Sequence, residues 1–270
     1  MPSDWPHWAE MWTLAVAIYV GCKWLTWHQA TVRHAPSWKQ AAYLLAWPGL
    51  NAAGFLKEPP IATCSRCRSN EWLSAAGALT LGVAGLFTVP RLIPPEHPCV
   101  IGWIGMVAIV LILHFGGFHL LSCTWRTAGM GARPLMNRPF ASTSLSEFWG
   151  RRWNTAFRDL THQFVFQPCT SWLGPRAGIV AGFLFSGVVH DLVISVPARG
   201  GYGGPTLFFA IQGLAVVIER SPFGRLIGLG SGWSGRAFTL IVLVAPLGLL
   251  FHRPFVVGII VPFMHALGAI

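Results

Sequence analysis

Residues 177–196 read Ala177-Gly-Ile-Val-Ala-Gly-Phe-Leu-Phe-Ser-Gly-Val-Val-His-Asp-Leu-Val-Ile-Ser-Val196. This is about the length of apolar chain that a helix needs to cross the hydrocarbon core of a bilayer, at 1.5 Å of rise per residue. Only His190 and Asp191 interrupt it. An ionisable side chain inside such a segment costs a few kcal/mol on insertion scales, so it demands an explanation, either a partner or a function. Ser186, one turn before His190, could be the partner in a structural reading. Against that stand Asp191, directly after the histidine, and the small residues Gly182, Ser186 and Gly187, which allow close helix approach or leave room for a ligand.

The rest of the chain agrees with a membrane setting. Of its 270 residues, 53% are hydrophobic and 10% charged, with mean hydropathy +0.54; soluble domains carry about 25% charged residues. The expected class is therefore all-α, a polytopic integral membrane bundle of about seven or eight spans. Apolar runs place them at Met11–Trp27, Trp72–Val89, Val100–Leu121, Ala177–Val196, Pro205–Ile218, Ala237–Phe251 and Phe255–Ile270. Gln40–Leu56 and Phe148–Val165 mix tryptophan, polar and aliphatic residues, which reads as interfacial or partly re-entrant helix. The N-terminal residues lack the basic region and cleavage site of a signal peptide, so the first span is expected to be kept. No repeat or linker divides the sequence, and a single membrane-embedded domain over residues 1–270 is expected.

The formal net charge of +10 might point to nucleic acid, but the placement of the basic residues argues otherwise. Arg33, Lys39, Lys57, Arg66 and Arg68 follow the first span. Arg126, Arg133, Arg138, Arg151, Arg152, Arg158 and Arg176 follow the third, and Arg220, Arg225 and Arg236 the fifth, while the alternate loops hold only Arg91, Arg199 and Arg253. That alternation puts the N-terminus outside and the Arg-rich loops in the cytoplasm. No nucleic-acid partner is expected. Cys64-x-x-Cys67 falls in a loop expected to be cytoplasmic, where thiols are normally reduced. A lone CxxC is a poor metal signal. Cys22, Cys99, Cys123 and Cys169 read as packing or loop residues, and no metal is expected.

Between the third and fourth spans lies Ser144-Leu-Ser-Glu-Phe-Trp-Gly-Arg-Arg-Trp-Asn154. Ser144 with Glu147 three residues on forms a capping box, and Phe148, Trp149, Arg152, Trp153, Phe157 and Leu160 recur at helical spacing. An amphipathic helix over residues 142–166 on the cytoplasmic side is the expectation. It would carry tryptophans suited to the membrane interface, with Gly150 leaving a gap beside Asn154. The bland reading is a connector anchored by tryptophans and arginines.

The two segments together, Ser-Leu-Ser-Glu-Phe-Trp-Gly-Arg-Arg-Trp-Asn154 and then Phe185-Ser-Gly-Val-Val-His190, resemble the signature of membrane-bound O-acyltransferases, in particular the wax synthase branch. The similarity runs from about His114 to the C-terminus. Tyr43-Leu-Leu-Ala-Trp-Pro-Gly49 is also similar to a segment before the core of relatives. The family's motif asparagine and intramembrane histidine map onto Asn154 and His190. Asp191 departs from the glutamate usual after the histidine in plant wax synthases, and the chain is shorter than most members.

The resemblance implies esterification of an alcohol by an acyl-CoA. The chemistry suits the residues: an alcohol is a weak nucleophile near pH 7, and His190 is a fitting base. The Asn154 amide could donate to the tetrahedral oxyanion or orient substrate. The CoA thiolate, with a pKa of about 8.5, leaves with little acid help. Arginine forks suit the CoA phosphates.

Trp149, Arg151, Arg152, Trp153, Ser186, Asp191, His119 and Gln212 are the candidate substrate-binding residues; Gln212 could equally make an interhelical bond. No tightly bound cofactor is expected, acyl-CoA being a co-substrate, and the partners are acyl-CoA, a lipid-like alcohol and membrane lipids. The membrane would be the cytoplasmic one in a bacterium or the endoplasmic reticulum in a eukaryote. Alternatives are acyl or acetyl transfer to a smaller hydroxylated metabolite or lipid, a small transporter using His190 and Asp191 as a proton relay, or a non-catalytic scaffold. The transporter reading requires a repeat that the sequence lacks.

Overall fold

The computed structural model describes residues 5–30, 35–57 and 67–270, and helix is the only regular secondary structure among them. Four helices among the described residues are long and apolar enough to cross a membrane: Ser69–Leu92, Pro98–Thr127, Pro175–Ala198 and Gly232–Leu250. Arg253–Ala266 is a shorter apolar helix. Two further expected spans fall on the helices His7–Gln29 and Gly204–Arg220, each of which carries charge, Glu10 and Lys23 in one and Glu219 and Arg220 in the other.

The chain packs as two compact units. One comprises Met1–Val16, Arg138–Trp153 and Thr161–Ala266; the other comprises Ala17–Asn137, Asn154–Leu160 and Leu267–Ile270.

In the second unit the spans Ser69–Leu92 and Pro98–Thr127 run antiparallel from a short connection, and glycine sets their distance. A Cβ on Gly82 would meet the Ala108 carbonyl oxygen at 2.9 Å, and one on Gly116 would meet Leu79 Cβ at 2.9 Å. The segment expected to be interfacial forms the helix Ser37–Ala46, an extended stretch and the short helix Ala52–Leu56. Its unpaired carbonyls are met by a cation: Lys23, 2% exposed, donates to Trp47 O at 2.6 Å and Gly49 O at 2.5 Å. The same ammonium lies 3.5 Å from the centroid of the Tyr43 ring. Backbone that leaves the helical ladder in an apolar medium must find such partners.

In the first unit the Pro175–Ala198 span packs along Gly204–Arg220. Gly187 is the point of closest approach, where an added Cβ would lie 2.6 Å from Thr206 Cα. Exposed positions on this helix include the apolar Leu184, Val188 and Leu192, whereas Ser186, Gly187 and Ile194 are buried. The expected single helix over Phe148–Val165 is instead broken. A turn of helix at Leu145–Glu147 widens into a π-helical turn at Phe148–Arg152, Trp153 is extended, and a new helix starts at Thr155. Asn154 makes the break with φ +40°, in the left-handed region where asparagine is among the few non-glycine residues at ease.

The glycine contacts generate a paired expectation. Gly187→Ala should cost about 1–3 kcal/mol through overpacking against Thr206. Gly182→Ala, with open space where its Cβ would lie, should be neutral or stabilising. Thermal midpoints of the two variants in one detergent check this; equal midpoints would contradict the close crossing.

Candidate functional site

His190 faces the interior of the first unit, on the same side of its helix as Ser186, Gly187 and Ile194. Its Nδ1 lies 2.6 Å from the Ser186 carbonyl oxygen. A carbonyl only accepts, so Nδ1 carries the proton, and the neutral ring is basic at Nε2. Ser186 is thus the expected local partner, but through its backbone, while its hydroxyl donates to Gly182 O at 2.9 Å.

An aromatic ring packs against the imidazole, and further rings continue from it. Phe209 lies 4.5 Å from it, centroid to centroid, and Trp149 lies 5.6 Å from Phe209 and 5.7 Å from Phe183. Trp149 Nε1 donates to Gln212 Oε1 at 3.3 Å, and Gln212 Nε2 donates to Val242 O at 2.8 Å. Gln212, wholly buried, therefore makes interhelical bonds. The structure brings Trp149, Gln212 and His190 into one neighbourhood of the first unit.

A carboxylate holds the motif turn there. Glu219 accepts from Leu145 N at 2.6 Å and Ser146 N at 3.1 Å, so it binds the first amide groups of the turn from a distant helix. Ser144 Oγ accepts from Glu147 N at 3.0 Å, as its spacing predicts. Glu147 reaches back one residue further than a capping box requires, to Thr143 N at 2.9 Å, and also accepts from Arg152 Nη2 at 2.6 Å.

Asp191 is turned away from His190 towards the next helix. Its carboxylate accepts from Gly203 N at 2.9 Å, from Thr206 N at 3.0 Å and from the Thr206 hydroxyl. Ser195 Oγ donates to the same carboxylate at 2.8 Å and lies 3.2 Å from His252 Nε2. His252 Nδ1 accepts from Phe255 N, which leaves the ring proton on Nε2 facing Ser195. Burial holds the His252 imidazole below its ordinary pKa, with the Asp191 charge opposing. This network, which sequence spacing does not announce, follows from Asp191, Ser195 and the histidine of a separate segment.

Other expected residues lie elsewhere. Trp153 stacks on Phe148 at 5.5 Å, Arg151 is exposed, and Arg152 is tied to Glu147 and to the Arg138 carbonyl. Asn154 belongs to the second unit, where its Oδ1 accepts from Phe157 N at 3.3 Å and begins the helix Thr155–Thr161. His119 is also in the second unit, its Nε2 3.7 Å from Glu71.

Two assignments are corrected. Arg126, expected in an Arg-rich loop after the third span, is buried at the end of that helix and paired with Glu71 at 2.6 Å, because a carboxylate on the adjacent span draws it inward. Cys123, expected to pack, is joined to Cys67 by a disulfide across the two spans, while Cys64 lies outside the described residues.

Comparison with known proteins finds similarity over part of the chain. Residues 132–211 match the model of the membrane bound O-acyl transferase family. This segment contains Trp149, Asn154 and His190 and is narrower than the stretch from His114 onward that the motifs suggest. The chain is 33% identical to "Probable long-chain-alcohol O-fatty-acyltransferase 2" of Arabidopsis thaliana, over 46% of this chain and 39% of the relative. It is 29% identical to the long-chain-alcohol O-fatty-acyltransferase of Simmondsia chinensis, over 34% and 29% respectively. It is 34% identical to acyl-CoA–sterol O-acyltransferase 1 of Arabidopsis thaliana, over 32% and 27%. The chain thus spans less than half the length of the relatives it matches. No solved structure matches it.

The Glu147 contacts yield a pH expectation. The Thr143 N–H and then Arg152 hold the Glu147 carboxyl below its ordinary pKa despite partial burial. A depressed folded-state pKa adds stability that is complete above the unfolded value of about 4.3 and is lost as pH falls through the folded one. Glu147→Gln should lower the thermal midpoint at neutral pH and flatten its fall on acidification below about pH 4.3. A fall as steep as that of wild type would show that Glu147 carries none of it.

Proposed function

We propose that the protein is an acyl-CoA-dependent O-acyltransferase that esterifies a long-chain alcohol to a wax ester, with His190 as general base. The observation that carries this is the His190–Ser186 bond, which makes Nε2 the basic nitrogen of an imidazole held inside a membrane span. Nε2 takes the proton from the alcohol as its oxygen attacks the thioester carbonyl. The tetrahedral intermediate then expels the CoA thiolate, and the ester forms.

Asn154 assists in this reading. Phe157 N–H holds its Oδ1, which leaves Nδ2 as the donor end of the amide for that role. Trp149, Phe183 and Phe209 supply the apolar, water-poor wall that a thioester needs to escape hydrolysis. Arg151, exposed on the motif turn, meets the phosphates of CoA, and Arg152 and Trp153 shape that turn. Asp191 positions the end of the His190 helix. His119 lies beside Glu71 and has no step in this mechanism.

A second reading keeps the chemistry and changes the acceptor to a sterol or another hydroxylated lipid. The similarity to a sterol O-acyltransferase over 32% of the chain favours it.

The test is ester formation by the purified protein in liposomes, from labelled palmitoyl-CoA and alcohols of graded length with a sterol included. Wild type should give product, with the preferred acceptor naming the subclass. His190→Ala at matched folded yield should lose about 10²–10⁴-fold. Turnover unchanged in His190→Ala would remove the proposed base, and no product from folded wild type with any acceptor would remove the activity.

A further inference from the structure

Where the antiparallel spans Ser69–Leu92 and Pro98–Thr127 end on the side away from their connection, a small polar cluster serves no purpose in the reaction above. Cys67 and Cys123 are disulfide-bonded there, and Arg126 Nη2 lies 3.5 Å from each sulfur and 2.6 Å from Glu71 Oε2. His119 Nε2 stands 3.7 Å from the same carboxylate.

Three features bear on what this cluster does. A guanidinium beside a sulfur stabilises the thiolate, the form that attacks disulfides. The pair is also asymmetric. Cys67 is half-buried and open to a small reagent, whereas Cys123 is wholly buried and can react only with its neighbour. Finally, the charge pattern places Arg66, Arg68 and the Arg-rich stretch after residue 122 on the cytoplasmic side, where a solvent-accessible disulfide is exposed to reduction.

The donors Cys67, Glu71 and Cys123 lie within 4.8 Å of one another, as a metal ion would also require. The Arg126 cation already contacts all three, however, so the place of a metal is taken by a guanidinium.

We propose that Cys67 and Cys123 are a reversible dithiol–disulfide couple poised by Arg126 and served by low-molecular-weight thiols and disulfides of the glutathione type. In oxidation, the Cys67 thiolate attacks one sulfur of glutathione disulfide, forms a mixed disulfide and releases one glutathione thiolate. The Cys123 thiolate then attacks the Cys67 sulfur, forms the intramolecular bond and releases the second. The two cysteine protons end on the two glutathiones: the protein dithiol loses two electrons and glutathione disulfide gains them. Reduction runs the same steps backwards. Glu71 holds the guanidinium in place, and its negative charge favours one thiolate at a time over two. The bond staples the free ends of two spans whose other ends are joined by the chain, so the cluster is a modification site on the fold, independent of His190 chemistry.

The experiment equilibrates the full chain, in membranes and in a Cys64→Ser background, with glutathione mixtures from strongly reducing to strongly oxidising. A maleimide of large mass then counts free thiols, and Cys123→Ser assigns the band. The pair should pass from mostly reduced to mostly oxidised within that series. After reduction, re-oxidation by glutathione disulfide should slow at least about ten-fold in Arg126→Gln and stay within about three-fold of wild type in Arg126→Lys, which keeps the cation and guards against misfolding of the first variant.

A disulfide that survives every reducing mixture in the folded protein would make it a permanent staple. Thiols that never oxidise would mean an inert pair. Protection of both thiols by micromolar Zn²⁺ would make the cluster a metal site, and equal rates in both Arg126 variants would remove the role of the guanidinium. Each of these overturns the proposal.

Discussion

The first unit depends on what becomes of the Asp191 carboxylate. It follows directly on the histidine of a helix long and apolar enough to cross a membrane, where an uncompensated charge costs several kcal/mol. It is compensated by Gly203 N, Thr206 N, the Thr206 hydroxyl and Ser195, so it caps the helix Gly204–Arg220 from another segment. Of the two residues between those amides, Gly204 donates to Gly201 O and Pro205 has no N–H to leave unsatisfied. One group thus meets its own charge cost, the orphan amides of a helix start and the register between two helices. That register presses Gly187 onto Thr206 and brings Phe209 against His190.

The same helix repeats the device at its other end. Glu219 accepts from the amides of Leu145 and Ser146, and Gln212, about two turns earlier, receives the Trp149 indole. Leu145, Ala215 and Val216 bury against one another between these polar ties. Polar side chains are costly inside an apolar helix, and here each is spent on backbone or indole donors that would otherwise lack partners. The aromatic-basic motif is therefore held by the helix Gly204–Arg220, an element that the motif's sequence does not mention.

Asn154 divides two jobs. Its left-handed backbone and its side-chain bond to Phe157 N end one helical stretch and begin another. Asparagine thus has a local structural role at this point, and among its replacements glycine is the one that also tolerates positive φ. In the second unit, glycine contacts between the spans and the Lys23 ties to Trp47 and Gly49 hold parts that the family match over residues 132–211 mostly leaves out.

Composition and the runs of apolar residues by themselves determined an all-helical membrane protein, the places of its four long apolar helices and the anomaly of His190, because hydrophobic length and helical spacing are local properties of a chain. Ser144 as a cap was equally legible, its partner being three residues away. The tertiary structure alone decided the partners of the charges: Asp191 at a helix start, Glu219 on the motif turn, Arg126 drawn in by Glu71, and Cys123 paired with Cys67. It also decided the break at Asn154, since the aromatic spacing runs on unbroken through a π-helical turn and an extended residue. A charge or an amide buried in an apolar medium must find a complement somewhere, and which distant residue supplies it depends on how the helices pack, which no local pattern in the sequence encodes.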